Sequence, residues 1–160
     1  MGSCKACRVA PRLQNSRGET LPKRPPQAFL YVAASNIVYF VLAAYFMIQR
    51  EPPGGWPFLL VGLASFIFHL YPTQVAEVAD IVLASLAIGI VLAIYAKRVK
   101  NARLAAVALV CMLVGLFLLF RHGPGSLTIA QRENPHYIRD HIAWHVLSAL
   151  SAALFVLSTK

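Results

Sequence analysis

Charged side chains are scarce in this sequence. Only 13% of its 160 residues are Asp, Glu, Lys or Arg, and just 6 are acidic. Soluble domains carry about 25% charged and about 45–50% apolar residues. Here the apolar fraction is 58% and the mean hydropathy is +0.62. That balance excludes an ordinary soluble domain and predicts an integral membrane protein. Cysteine is also sparse. Cys4, Cys7 and Cys111 cannot form a disulfide framework, and the Cys4/Cys7 pair has no second pair to complete a zinc site. The apolar runs lack the period-two alternation of barrel strands, which leaves helices as the only spanning structure lipid permits. There is no internal repeat, and the first 26 residues lack the apolar core of a secretory signal.

What charge there is has a pattern. The net charge of +9 invites a nucleic-acid reading, but the cations do not gather into one patch. They fall in the N-terminal tail (Lys5, Arg8, Arg12, Arg17, Lys23, Arg24) and in the breaks between apolar runs (Lys97, Arg98, Lys100, Arg103). Topogenic and headgroup-contacting charges are distributed in this way. No nucleic acid is expected as a partner. Residues 1–26 read as a basic, disordered tail, with an organelle transit peptide as the alternative. Met1-Gly2-Ser3-Cys4 offers an acylation site, although Ala6 stands where the myristoylation pattern has Ser or Thr.

Five apolar segments follow and define a transmembrane helical domain over 27–160. They run from about Ala28 to Ile48, Trp56 to Leu70, Val78 to Ala96, Leu104 to Phe120 and Ile138 to Ser158. A crossing needs about 20 residues, so the second is short. The fold class expected is an all-α bundle of about five transmembrane helices. The cluster QREPPGGWP reads as a breaker, and the loop from Arg121 to Arg139 is the one long connection and a candidate lid. Lys/Arg at 5, 8, 12, 17, 23, 24, 121, 132 and 139 on the N-terminal side outnumber those at 50, 97, 98, 100, 103 and 160. The positive-inside bias therefore favours a cytosolic N-terminus. The expected location is an endomembrane (ER or Golgi) or the plasma membrane.

Against this apolar background, polar groups inside the helices stand out. The stretch SFIFHLYPTQVAEVAD carries Ser65, His69, Glu77 and Asp80, and HIAWH carries His141 and His145. Intramembrane ionisable residues are costly and mark candidate functional sites. Ser65 and His69 lie four apart, as do His141 and His145, so each pair shares one helix face. Topology then gathers them. The connection after His69 is short, helix three leaves that membrane face, helix four returns, and helix five begins there. Three neutral imidazoles at one depth suit a tetrahedral Zn2+ with one open position for water, as in catalytic sites. Zinc lowers the pKa of its water and polarises a carbonyl. Asp80 could orient or deprotonate that water, or hold a histidine ring; Ser65 could hydrogen-bond a developing oxyanion. Each also has a plainer reading: Ser65 bonding its own helix carbonyls, Asp80 and Glu77 as helix-start acids satisfied by dipole and water. His122 and His136 read as solvated loop residues. Trp56, Trp144, Tyr71 and Tyr137 read as interfacial anchors.

The spacing Ser65-x3-His69-x10-Asp80, followed by His141-x3-His145 within HIAWHVLSAL, resembles the alkaline ceramidase family. Ser35-Asn36 in AASNIVYFVLA resembles that family's first helix. The resemblance is dispersed over most of residues 29–155. It implies that His69, His141 and His145 bind zinc, that Asp80 and Ser65 assist, and that the reaction is hydrolysis of ceramide to a sphingoid base and a fatty acid. It places the chain in a wider superfamily of membrane hydrolases with the progestin and adiponectin receptors and glycosylphosphatidylinositol-remodelling proteins. Two departures accompany it. The family has seven helices where five are expected here, and its acidic calcium-binding stretch before the first helix is missing, so calcium is not expected. Two other functions fit the same residues: a lipid receptor or binding protein with little turnover, and a haem-binding electron carrier.

Overall fold

The computed structural model describes residues 12–49, 52–122 and 127–160, so Gly2, Cys4 and Cys7 lie outside the described residues. Across the described residues, seven α-helices run in order: α1 (Gln27–Ser35), α2 (Ile37–Ile48), α3 (Pro52–Leu70), α4 (Gln74–Tyr95), α5 (Ala102–Phe120), α6 (Ile129–Arg132) and α7 (Pro135–Leu157). A single 3-10 turn, Ala96–Arg98, follows α4. Among the described residues there are no strands, only two isolated bridges. The described residues are all-helical, and four stretches among them are long and apolar enough to cross a membrane: Gln27–Ile48, Gln74–Arg98, Ala102–Phe120 and Pro135–Leu157. Gly55–Leu70 is a shorter apolar helix.

Local chemistry explains the boundaries. Asn36 separates α1 from α2: its side-chain amide donates to Val32 O and Ala33 O, competing with the backbone ladder. Thr73 caps α4 by accepting from Ala76 N, and Asn101 caps α5 by accepting from Leu104 N. Asn134 accepts from His136 N ahead of Pro135, which suits the first helical position. The expected breaker around Pro52 does not break. α3 begins at Pro52, because prolines in a first turn forfeit no helical hydrogen bond, and it runs on through Pro57. α4 and α7 likewise start earlier than expected, at Gln74 and Pro135. Asp80 therefore lies in the second turn of α4 rather than the first.

α7 is the centre of the bundle. It packs against α5, α1, α2 and α4, while α3 packs against α1, α2 and α4. Close approach depends on small residues: a Cβ at Gly115 would sit 2.8 Å from the Trp144 ring, so α5 reaches α7 only because that position has no side chain. The far end is tied by the Ser158 carbonyl, which accepts from Lys100 N at 2.8 Å and Asn101 N at 2.9 Å. α4 and α5 are consecutive yet make little direct contact. Between them opens a cavity of about 390 Å³, lined by Ala87 and Val91 of α4, Ala108 and Met112 of α5, and Ser148 and Ala152 of α7. Large apolar side chains on the outer faces of α4 and α5, such as Ile81, Leu86, Leu109 and Phe117, are exposed. A belt of that kind suits hydrocarbon rather than water.

Residues 12–26, expected to be disordered, fold over the end of the bundle where α3 stops and α7 starts. Gln14 bridges Thr20 across a turn in which Gly18 takes φ 78°, a conformation glycine adopts without strain. Asn15 bridges Thr73, and Ser16 Oγ donates to Glu77 Oε2 at 2.6 Å. Glu19 accepts from Asn15 Nδ2 at 2.7 Å and from Ile129 N at 3.0 Å. These contacts strap the tail to the α3–α4 turn and to α6.

Candidate metal centre

The three singled-out histidines converge. His69 occupies the last turn of α3, and α7 presents a buried stripe of Tyr137, His141, His145 and Ser148 at helical spacing. His69, His141 and His145 are exposed by only 3%, 9% and 2%. Their ring centroids stand 4.6, 4.8 and 5.2 Å apart. His141 Nε2 lies 3.2 Å from His69 Nε2, and one nitrogen from each ring falls within 4.8 Å of the others. Nitrogens bound to a tetrahedral Zn2+ at about 2.0–2.1 Å stand about 3.3 Å apart. The three imidazoles can therefore hold a metal ion with small movements of the rings.

The tautomer of His145 can be worked out. Ser35 Oγ lies 2.6 Å from Val32 O and 2.6 Å from His145 Nδ1. A carbonyl only accepts, so the hydroxyl proton is committed to Val32 and Nδ1–H must donate to Ser35. That leaves the Nε2 lone pair free, the form a metal ligand requires. The side of the same ring packs edge-on to Tyr39 at 5.7 Å, and Tyr39 OH pairs with Ser148 Oγ at 2.6 Å. In the sequence, Ser35 carries only its part of a family resemblance. Its work on His145, 110 positions away, has no local sequence signal.

Asp80 stands outside the ligand set. It is half-buried on α4, within hydrogen-bonding reach of the buried Ser65. A carboxylate accepts, so the Ser65 proton points to Asp80. Ser65 thus holds the Asp80 carboxylate in this structure. Both groups lie a few residues in from the same end of the bundle, one turn deeper than His69.

No family model, curated protein or solved structure matches this chain.

Several functional neighbours were not legible beforehand. Asp140, next to His141, is buried and gathers two guanidinium groups and an imidazole: Arg121 Nη1 at 3.1 Å, Arg139 Nε at 3.1 Å and His122 Nε2 at 2.9 Å. His122, expected to be solvated, is thus engaged, and it ties the end of α5 to the start of α7. Tyr137, expected as an interfacial anchor, is 6% exposed and lies 5.1 Å from the His141 ring. Trp144 is partly buried on Gly115, whereas Trp56 and Tyr71 are exposed, as is His136. The loop expected as a lid carries α6, from which Arg132 turns inward.

Proposed function

We propose that this chain is an integral membrane, zinc-dependent lipid amide hydrolase of the alkaline ceramidase type, with five spanning helices formed by α1–α2, α3, α4, α5 and α7. The observation that carries the reading is the buried trio of His69, His141 and His145, with ligand atoms within 4.8 Å, one helical turn from a cavity of about 390 Å³. The trio would hold Zn2+, which supplies Lewis acidity and an acidified water when bound. The remaining work falls to the protein. Ser35 fixes His145 with Nε2 free. Asp80, oriented by Ser65, would accept a proton from an attacking water and return it to the leaving amine. The cavity takes an acyl chain, with Tyr39 and Ser148 as the polar rim on the side nearest His145. The substrate class is ceramide or a related acylated membrane lipid. A cytosolic N-terminus puts the trio at the cytosolic face.

Metal analysis of detergent-purified protein tests the reading. About one zinc per chain is expected, lost in His69→Ala and His145→Ala, together with chelator-sensitive cleavage of an N-acyl lipid. Zinc-free protein whose hydrolysis ignores chelators would sink it.

The cavity equally suits a lipid receptor that keeps the metal and turns over little. Single-turnover incubation with mass-spectrometric detection of the free fatty acid separates the two. The haem alternative is not favoured. Axial histidines must face each other across a porphyrin plane, and ring centroids 4.6 Å apart leave no slot for one.

A further inference from the structure

Arg132 is a buried cation that makes no ion pair among the described residues, although its charge reaches Asp80. It closes the four-residue helix α6 and is only 5% exposed. Its guanidinium carbon lies 4.7 Å over the Phe68 ring, and that ring stands 5.1 Å from the His69 imidazole. Its Nε is buried with no hydrogen-bond partner among the described residues. The acids around it have partners of their own: Asp140 holds Arg121, His122 and Arg139, Glu19 accepts from Asn15 and Ile129, Glu77 accepts from Ser16, and Asp80, which feels the Arg132 charge without pairing with it, accepts from Ser65. Arginine does not shed its proton in a protein, so burial cannot neutralise it. A buried charge in this position calls for an anion.

The guanidinium fork matches the oxyanions of carboxylates and phosphates, two donors to two oxygens. Position chooses between them. Arg132 enters from the connection between α5 and α7, at the end of the bundle, with Phe68 lying against both its guanidinium and the His69 ring. The apolar cavity lies on the other side of the trio, beyond Tyr39 and Ser148. A lipid with its chain in the cavity and its acyl linkage at the trio directs its headgroup to Arg132. The fatty acid's carboxylate would form at the trio, not past Phe68. Among lipid headgroups, the oxyanion in that place is a phosphate. We propose that Arg132 recognises the headgroup, and that the lipid taken is an acylated lipid bearing a phosphate. This rests on the hydrolase reading for the placement of the chain.

The test is binding, measured by tryptophan fluorescence on the full chain in detergent, both zinc-loaded and chelator-treated. The probes are dodecyl phosphate, dodecanoate, dodecanol and inorganic phosphate. Dodecyl phosphate is expected to bind about tenfold or more tighter than dodecanol, the scale of a hydrogen bond to a charged group. Arg132→Gln should abolish that preference while leaving dodecanol binding unchanged. Arg132→Lys should keep part of it, since the charge stays and the fork is lost. Equal binding of dodecyl phosphate and dodecanol by the wild type overturns the proposal, as does an undiminished preference in Arg132→Gln. Dodecanoate binding as tightly as dodecyl phosphate overturns the phosphate assignment, and inorganic phosphate doing so overturns the lipid headgroup. Should Arg132→Gln fail to fold, the four probes on wild type and Arg132→Lys still decide. Protein that lacks zinc but prefers dodecyl phosphate through Arg132 removes the hydrolase and leaves the anion site. Active zinc enzyme without the preference does the reverse.

Discussion

Replacing Ser35 by alanine removes the hydroxyl that accepts from His145 Nδ1–H. It leaves His145 Nδ1–H buried without its acceptor at 2.6 Å. An unsatisfied buried donor costs about 1–3 kcal/mol. Losing the partner that orients a ligating histidine typically weakens metal binding by about 10–100-fold. The two scales agree, since tenfold is about 1.4 kcal/mol. Zinc affinity of Ser35→Ala, read by competition with a chromophoric chelator in detergent, should therefore fall about 10–100-fold. Ser35→Thr keeps the hydroxyl and should return to within about threefold of wild type, because the acceptor that avoids the unsatisfied donor is restored. The thermal midpoint of metal-free Ser35→Ala should fall only modestly, because the bond to Val32 O is local. Unchanged zinc affinity in Ser35→Ala, or Ser35→Thr as weak as Ser35→Ala, would refute the assignment of the His145 tautomer.

Other outcomes follow from the same contacts. Asp80→Asn should retain zinc yet lose about 10²–10⁴-fold in amide hydrolysis, the usual contribution of a positioned base; full activity would remove Asp80 from the chemistry. Ala152→Phe should fill the cavity between α4 and α5, abolishing cleavage of long-chain N-acyl lipids while zinc content stays at wild-type level. Gly115→Val should drive a side chain into Trp144, costing about 1–3 kcal/mol in denaturant unfolding and disturbing zinc binding through neighbouring His145. A wild-type unfolding midpoint in Gly115→Val would show that α5 and α7 can separate freely.

The parts of this molecule that the sequence announces are those governed by short-range rules. Apolar run length places the long helices, and four-residue spacing places Ser65 with His69 and His141 with His145 on shared faces. The alternation of helix direction then brings all three imidazoles to one end, as the structure has it. The boundaries that moved did so for local reasons too: Pro52 and Pro53 open a helix rather than end one, and Pro135 does the same for α7. What stayed hidden depends on contacts between distant segments. Glu19 accepting from Ile129 N, and Asp140 collecting Arg121 and His122, link stretches that look like loops when read alone. Polar residues in loops have no periodicity to reveal a buried destination, so Arg132 reads as one more topogenic cation until its burial is seen.

The gap between α4 and α5 faces sideways. On the proposed membrane reading, a guest that slips in between those two helices need not leave the bilayer, so its supply would be set by how strongly it partitions into the leaflet and not by its solubility in water. Each added methylene is worth about 0.8 kcal/mol in that partition, roughly a fourfold rise in local abundance. Homologous chains would thus be ranked by the membrane before the protein distinguishes them, and rates are best compared per mole fraction in the lipid phase.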